Sequence, residues 1–213
     1  MKTDELVALL ATGTVAVDTH VAGRRYALAI AGGLAGAVVL MLSLLKVRAD
    51  LAEAALLPLF WLKIGFVASV MAASLFAVLR LSRPGARVER VPGAMALPVL
   101  LMWVAAAFVL LAADPSQRLG LFLGETWRYC PFLIAVLSIP ALITILWAMK
   151  GLAPTRPRLA GFAAGLLAGA TATLAYCLHC PEMEIPFVGF WYVLGMLIPA
   201  GAGAWLGESQ LRW

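Results

Sequence analysis

The chain has 213 residues, of which 63% are hydrophobic and only 13% are charged. Soluble domains are nearer half apolar and a quarter charged, so this composition excludes an ordinary soluble protein. The net charge of +5 does not indicate nucleic-acid binding, because the Lys and Arg residues lie in short runs between apolar stretches, as they do in multi-pass membrane proteins.

The polar segment 1–25 predicts a short amphipathic helix over residues 3–11. Thr3 suits the N-cap position, and Asp4 and Glu5 place negative charge in the first turn, where the helix dipole favours it. An apolar stripe follows at helical spacing, formed by Leu6, Leu9 and Leu10. From these residues alone, the helix either docks a partner or packs on the bilayer or the rest of the protein.

Six stretches are long and apolar enough to cross a bilayer, since about 20 helical residues span its hydrocarbon core. They are residues 26–45, 56–79, 95–113, 130–149, 159–178 and 186–206. The sequence therefore predicts an all-α membrane protein with a six-helix bundle over residues 26–206. The segment 1–25 precedes the bundle and a tail, 207–213, follows it.

The distribution of positive charge predicts the orientation of the bundle. With six spans, both termini and the second and fourth loops lie on one side of the membrane, and eleven of the sixteen Lys and Arg residues lie on that side. Because positive charge is concentrated on the cytoplasmic side, both termini are predicted to be cytoplasmic, in a bacterial inner membrane.

Two features lie within the predicted spans. Lys63 is a functional candidate because charges inside membranes are costly, although its ammonium could reach the interface by snorkelling, and that interpretation is slightly preferred. Glycines also recur at four-residue spacing, which allows close helix approach and predicts packing inside the bundle. They are Gly32 and Gly36, Gly161, Gly165 and Gly169, and Gly203 and Gly207.

All three cysteines are predicted at the periplasmic side, where disulfides form and persist. A bridge or reactive pair of Cys130 and Cys180 is the preferred chemistry, and a catalytic dithiol of Cys177 and Cys180 ranks last. Alternatively, the cysteines are simply small buried apolar residues. A soft metal ion such as zinc or cadmium is a further possibility. Its ligands would be Cys130, Cys177, His179, Cys180 and Glu182.

Several motifs resemble the NrsF family of bacterial membrane anti-sigma factors, essentially from end to end. They are residues 1–6 (MKTDEL), 58–63 (PLFWLK), 180–182 (CPE), 190–196 (FWYVLGM) and 211–213 (LRW). The resemblance implies a regulator that is not an enzyme. It would hold an extracytoplasmic-function (ECF) sigma factor of the sigma-F type at the cytoplasmic face and release it under metal or oxidant stress.

The resemblance also implies roles for particular residues. Cys130 and Cys180 would be the sensing thiols, with Cys177 as an additional one. Residues 3–10 would dock the sigma factor as a helix in a groove, and the basic loop 80–90 would be a second contact. The anchors would be Leu6, Leu9 and Leu10, beside the polar Thr3, Asp4 and Glu5.

Two other classes of function stay open. A membrane thiol–disulfide oxidoreductase would use Cys177 and Cys180 and pass electrons to a quinone. A small transporter would have broken helices, for which Pro98, Pro140 and Pro199 give faint support. No cofactor is expected apart from the possible periplasmic metal ion.

Overall fold

The computed structural model describes residues 3–11, 21–83, 89–150, 152 and 154–211, without the side chains of residues 9–11, 21 and 22. Parts of the predicted N-terminal segment and basic loop, and the terminal residues 212–213, therefore lie outside the described residues. The described chain is helical and contains no strand.

The helices follow in chain order, with proline at the first or second position of many of them, where its missing N–H costs nothing. They are α1 (Thr3–Ala11), α2 (Val21–Leu44), α3 (Leu51–Ala54), α4 (Pro58–Leu81), α5 (Val91–Ala112), α6 (Pro115–Leu123), α7 (Cys130–Leu137), α8 (Ile139–Met149), α9 (Pro157–Tyr176), α10 (Ile185–Phe187), a π-helical segment (Val188–Tyr192) and α11 (Val193–Gln210).

The predicted all-α fold with about six long apolar helices is confirmed. By length and composition, five helical stretches are able to cross a membrane: Gly23–Leu44, Pro58–Leu81, Val91–Ala112, Pro157–Tyr176 and Ile185–Gln210. The predicted fourth span is instead two helices, α7 and α8, bent by 44°. The bend lies just before Pro140, which has no N–H to donate to the preceding turn.

Helix α9 lies at the centre of the bundle and is buried along most of its length. It packs most extensively against α11, and also against α4, α2 and α8. Glycines make this packing possible, because a Cβ on Gly165 would overlap the carbonyl oxygen of Pro199 and one on Gly203 would overlap that of Gly161. The four-residue glycine spacing in α9 and α11 therefore serves packing within the bundle, as predicted.

The glycines of α2 differ from the predicted register. Gly36 accommodates Pro140, and Gly33 rather than Gly32 approaches α8, where an added Cβ would lie 2.6 Å from the Cα of Ala141. A Cβ on Gly32 would meet nothing closer than 4.0 Å. The close contact therefore uses a three-residue glycine spacing, which also places two residues on one helix face.

Helix α5 lies at the edge of the bundle and is little buried. Large apolar side chains cover its outer face, among them Leu101, Phe108 and Leu111, which are 62%, 69% and 73% exposed. So large an apolar surface would be unstable in water but suits contact with lipid chains. The helix is continuous through Pro98, and α11 is continuous through Pro199.

Candidate functional site: a buried thiol cluster

The three cysteines meet at one end of the bundle, as the sequence predicted. Cys130 is the first residue of α7, Cys177 directly follows α9, and Cys180 lies three residues farther along the chain. All three are free thiols with 0% of their surface exposed. The thiols therefore lie together at one end of the helical bundle and are shielded from solvent. A reagent can reach them only if the surrounding loops open.

The segment that carries Cys177 and Cys180 continues the winding of α9 for one more turn. The Cys177 N–H donates to the carbonyl of Thr173 (2.9 Å), and the Cys180 N–H donates to that of Tyr176 (3.0 Å). Pro181 then ends the winding, since it has no N–H to continue it. We call residues 177–184 the thiol loop.

Lys63, near the start of α4, binds the backbone of the thiol loop. Its Nζ donates to the carbonyl oxygens of Cys180 and Glu182, each at 3.0 Å, and lies 5.6 Å from the centre of the Phe60 ring. The side chain is 0% exposed. The preferred prediction for Lys63 was therefore wrong: its ammonium does not snorkel to the interface but turns into the protein.

The turn between α2 and α3 holds the other side of the thiol loop. The Arg48 guanidinium donates to the carbonyls of Cys180 and Pro181, both at 3.4 Å, and pairs with the Asp50 carboxylate at 2.6 Å. This pairing lowers the pKa of Asp50 to about 2. Nδ1 of His179 lies 2.9 Å from the carbonyl oxygen of Lys46, so the His179 side chain also joins the thiol loop to this turn.

Glu182 connects the thiol loop to the turn before α7. Its Oε1 accepts the N–H groups of Glu125 (2.7 Å) and Thr126 (3.2 Å) and the Thr126 hydroxyl (3.4 Å). The carboxylate needs a glycine at residue 124, because a Cβ on Gly124 would lie 2.8 Å from it. Gly124 also has φ +55°, which few other residues adopt.

Two buried tyrosines cover the thiols. Tyr176 ends α9, and Tyr192 ends the π-helical segment, with their ring centres 5.8 Å apart. The Tyr192 hydroxyl is buried, and among the described atoms it has no partner that meets hydrogen-bond geometry. Short π-helical segments occur often at functional sites, since the extra residue redirects the side chains that follow.

The two cysteines of the thiol loop differ in acidity. The pKa of Cys180 is lowered, first by the neighbouring Cys130 thiol and also by the positive charge of Lys63, against the effect of burial. Burial raises the pKa of Cys177 to about 12, although the charge of Lys63 opposes that rise. Cys180 is therefore the thiol whose surroundings favour a thiolate.

The five residues predicted as metal ligands are not arranged as a single metal-binding site. Within the ranges that the structure describes, no group of three or more His, Cys, Asp or Glu side chains is placed to hold a metal ion. His179 contacts the Lys46 carbonyl, and Glu182 accepts backbone N–H groups. The metal site stays a prediction from the sequence.

The predicted sigma-docking helix is present as α1, Thr3–Ala11. Thr3 lies within the described helix rather than outside it as an N-cap, and Asp4 and Glu5 lie in its first turn. The side chains of residues 3–8 are exposed, with Leu6 at 41% and Val7 at 60%. Leu9 and Leu10 belong to the helix, but their side chains lie outside the described residues.

Sequence reasoning missed the residues that hold the thiol loop. Arg48 and Thr126 were not candidates, and neither were Tyr176 and Tyr192. Tyr176 directly precedes Cys177, and Tyr192 lies in the aromatic run of the last span. Both could therefore have been predicted as neighbours of the cysteines. Arg48 binds backbone carbonyls. Because every residue has a backbone carbonyl, the sequence does not indicate which ones Arg48 would bind.

Comparisons with known proteins agree with this architecture. The family model described as "Negative regulator of sigma F" (NrsF) matches residues 10–213. The chain is 62% identical to the probable anti-sigma-F factor NrsF of Azospira oryzae, and 39% identical to the anti-sigma-F factor NrsF of Caulobacter vibrioides. Both alignments cover 100% of each chain. No solved structure matches the chain.

Proposed function

The chain belongs to the NrsF family of negative regulators of sigma F, and on that basis we propose that it holds an ECF sigma factor of the sigma-F type at the cytoplasmic face of the inner membrane. It releases the sigma factor when the thiol cluster at the periplasmic face reacts. The observation that carries this proposal is that one chain, similar over its full length to anti-sigma factors, combines a helix whose residues 3–8 are exposed with a buried thiol cluster.

The proposed topology places docking and sensing on opposite sides of the membrane. Lys63 contacts the thiol loop near the start of α4, and about 27 Å of helix separates it from the end of α4. There, Ser82 and Tyr26 share a hydrogen bond of 2.6 Å between their hydroxyls. Tyr26 lies near the start of α2. The start of α2 is therefore at the end of the bundle opposite to the thiols.

Docking uses the apolar stripe of α1. Leu6, Leu9 and Leu10 lie on one helix face, and Ala8 lies on the opposite face. An apolar stripe of this kind fits a hydrophobic groove of a partner, with the leucines as anchors. The positively charged loop after α4 supplies a second contact.

Sensing uses Cys130 and Cys180. Each loses its S–H hydrogen and an S–S bond forms between them, while two electrons and two protons pass to an oxidant such as a hydroperoxide, which becomes an alcohol and water. The bond would tie the start of α7 to the thiol loop. Because the thiol loop is also held by α4 and by the α2–α3 turn, a shift of the loop reaches several helices at once.

A capture experiment tests the docking part. The full-length protein in detergent is bound to resin and incubated with each sigma factor of its host, alongside the variants Leu6→Asp and Ala8→Asp. Capture of one sigma factor that is lost in Leu6→Asp and retained in Ala8→Asp supports the proposal. Equal capture by both variants contradicts docking through the stripe. No capture by the unchanged protein contradicts the proposal and favours the oxidoreductase, whose test is dithiol turnover by Cys177 and Cys180.

A further inference from the structure

The buried ammonium of Lys63 has no carboxylate as a hydrogen-bond or ion-pair partner in the described part of the chain. Its side chain is 0% exposed, and its two hydrogen-bond acceptors are uncharged backbone carbonyls, those of Cys180 and Glu182. Among the described residues, the one ion pair joins Arg48 to Asp50 instead. A buried ammonium is costly unless an opposite charge compensates it.

The groups that face Lys63 come from every element around it. The thiol loop contributes Cys177 and Cys180, α7 contributes Cys130, and the α2–α3 turn contributes the cationic Arg48. The Glu182 carboxylate instead binds the backbone N–H groups of the turn before α7 through its Oε1. The cysteines are the neighbours of Lys63 that can place negative charge beside the ammonium.

Among these cysteines, Cys180 is the one that Lys63 contacts directly. The ammonium binds its carbonyl oxygen at 3.0 Å, and its sulfur lies 4.0 Å from the Thr126 hydroxyl oxygen. The positive charge of Lys63 and the polar Thr126 hydroxyl thus both lie beside Cys180, where they favour negative charge on its sulfur. A disulfide between Cys130 and Cys180 would leave the Cys180 sulfur unable to carry that charge.

We propose that Lys63 is a positioning residue which favours the reduced form of the Cys130–Cys180 pair, and so sets how oxidising the surroundings must become before the pair closes. The ammonium stabilises electron density on the Cys180 sulfur, and this stabilisation is present in the dithiol and absent from the disulfide. The inference deepens the proposed function and depends on it for the physiological meaning of the threshold, whereas the chemistry is measurable without any sigma factor.

The test is redox equilibration of the full-length protein in detergent with mixtures of reduced and oxidised glutathione. The dithiol is oxidised as one S–S bond forms between Cys130 and Cys180. One molecule of glutathione disulfide is reduced, its S–S bond breaks, and its two sulfurs take up the two protons. Mass spectrometry of alkylated peptides gives the disulfide fraction, and equilibrium is approached from both the reduced and the oxidised protein because the thiols are buried.

Four proteins are compared: the unchanged chain, Lys63→Met, Lys63→Arg and Arg118→Met. Lys63→Met keeps the length of the side chain without its charge, and Lys63→Arg keeps the charge. Arg118→Met removes an exposed charge from α6, where the guanidinium donates, within the described ranges, to carbonyls at the end of α5 and not to the thiol loop. We expect Lys63→Met to favour the disulfide by about tenfold, which is ~30 mV for a two-electron couple. Lys63→Arg and Arg118→Met should stay close to the unchanged chain.

The sign of the change separates charge from simple support of the loop. A Lys63 that only held the loop would bring the sulfurs together, so its loss would disfavour the disulfide. An unchanged or decreased disulfide fraction in Lys63→Met therefore overturns the proposal, and so does an increase that Lys63→Arg reproduces. If Lys63→Met does not fold, an equilibrium in Lys63→Arg displaced toward the disulfide overturns it, and one equal to that of the unchanged chain supports it. Failure here leaves sigma capture intact, whereas failure of capture leaves these equilibria intact, so the two are distinguishable.

Discussion

Replacing Gly203 by alanine should loosen the contact on which the bundle depends most, that between α9 and α11. A Cβ at this position would overlap the carbonyl oxygen of Gly161 and lie 3.0 Å from the Cα of Gly165. Carbon atoms pack best at about 3.5–4.0 Å, so the helices must separate by at least ~0.5 Å. Overpacking of this kind costs about 1–3 kcal/mol.

Gly201 provides a matched control in the same helix. It is exposed, and a Cβ there would meet nothing within 4 Å. For a protein of this size, the cost at Gly203 corresponds to a decrease in the midpoint of thermal unfolding of roughly 2–12 °C. Tryptophan fluorescence in detergent would report the midpoints. Equal midpoints for Gly203→Ala and Gly201→Ala would refute the close approach of the two helices.

Other changes test individual contacts. Glu182→Gln should lower the free energy of unfolding by about 1 kcal/mol, because the hydrogen bonds that it accepts lose their charge. Glu184→Gln, whose side chain has no hydrogen-bond or ion-pair partner among the described residues, should match the unchanged chain, and equal effects would refute the connection. Tyr26→Phe should cost about 1 kcal/mol in chemical denaturation through loss of a buried hydrogen bond, and no cost would contradict that bond. Since the thiolate is the reactive form, alkylation of Cys180 should rise from about pH 6, whereas Cys177 should stay protonated until about pH 12; parallel pH profiles would contradict the asymmetry.

The long helices could be predicted because a membrane span needs only enough consecutive apolar residues. The second span was predicted at 56–79 and is Pro58–Leu81, and the fourth was predicted at 130–149 and covers α7 and α8. The bend in the fourth span was not predicted, because proline bends some helices and not others. Pro98 and Pro199 lie in continuous helices, whereas α8 begins next to Pro140.

The site could be predicted in part. Cysteines at the same end of neighbouring spans were expected to meet, and Cys130, Cys177 and Cys180 do lie together in the bundle. The direction of Lys63 was not predictable, since its acceptors are backbone carbonyls more than a hundred residues away. Glu182 was considered a metal ligand because a carboxylate near cysteines suits that role, but in the structure its Oε1 accepts hydrogen bonds from the turn before α7.

The most direct test of the account is release of a captured sigma factor from the reconstituted full-length protein. The complex in lipid nanodiscs is treated with a hydroperoxide, and bound sigma factor is measured for the unchanged chain and for Cys130→Ser and Cys180→Ser. We expect release from the unchanged chain and retention by both variants. Release that is equally complete without either thiol, or no release from the unchanged chain after the disulfide has formed, would contradict it.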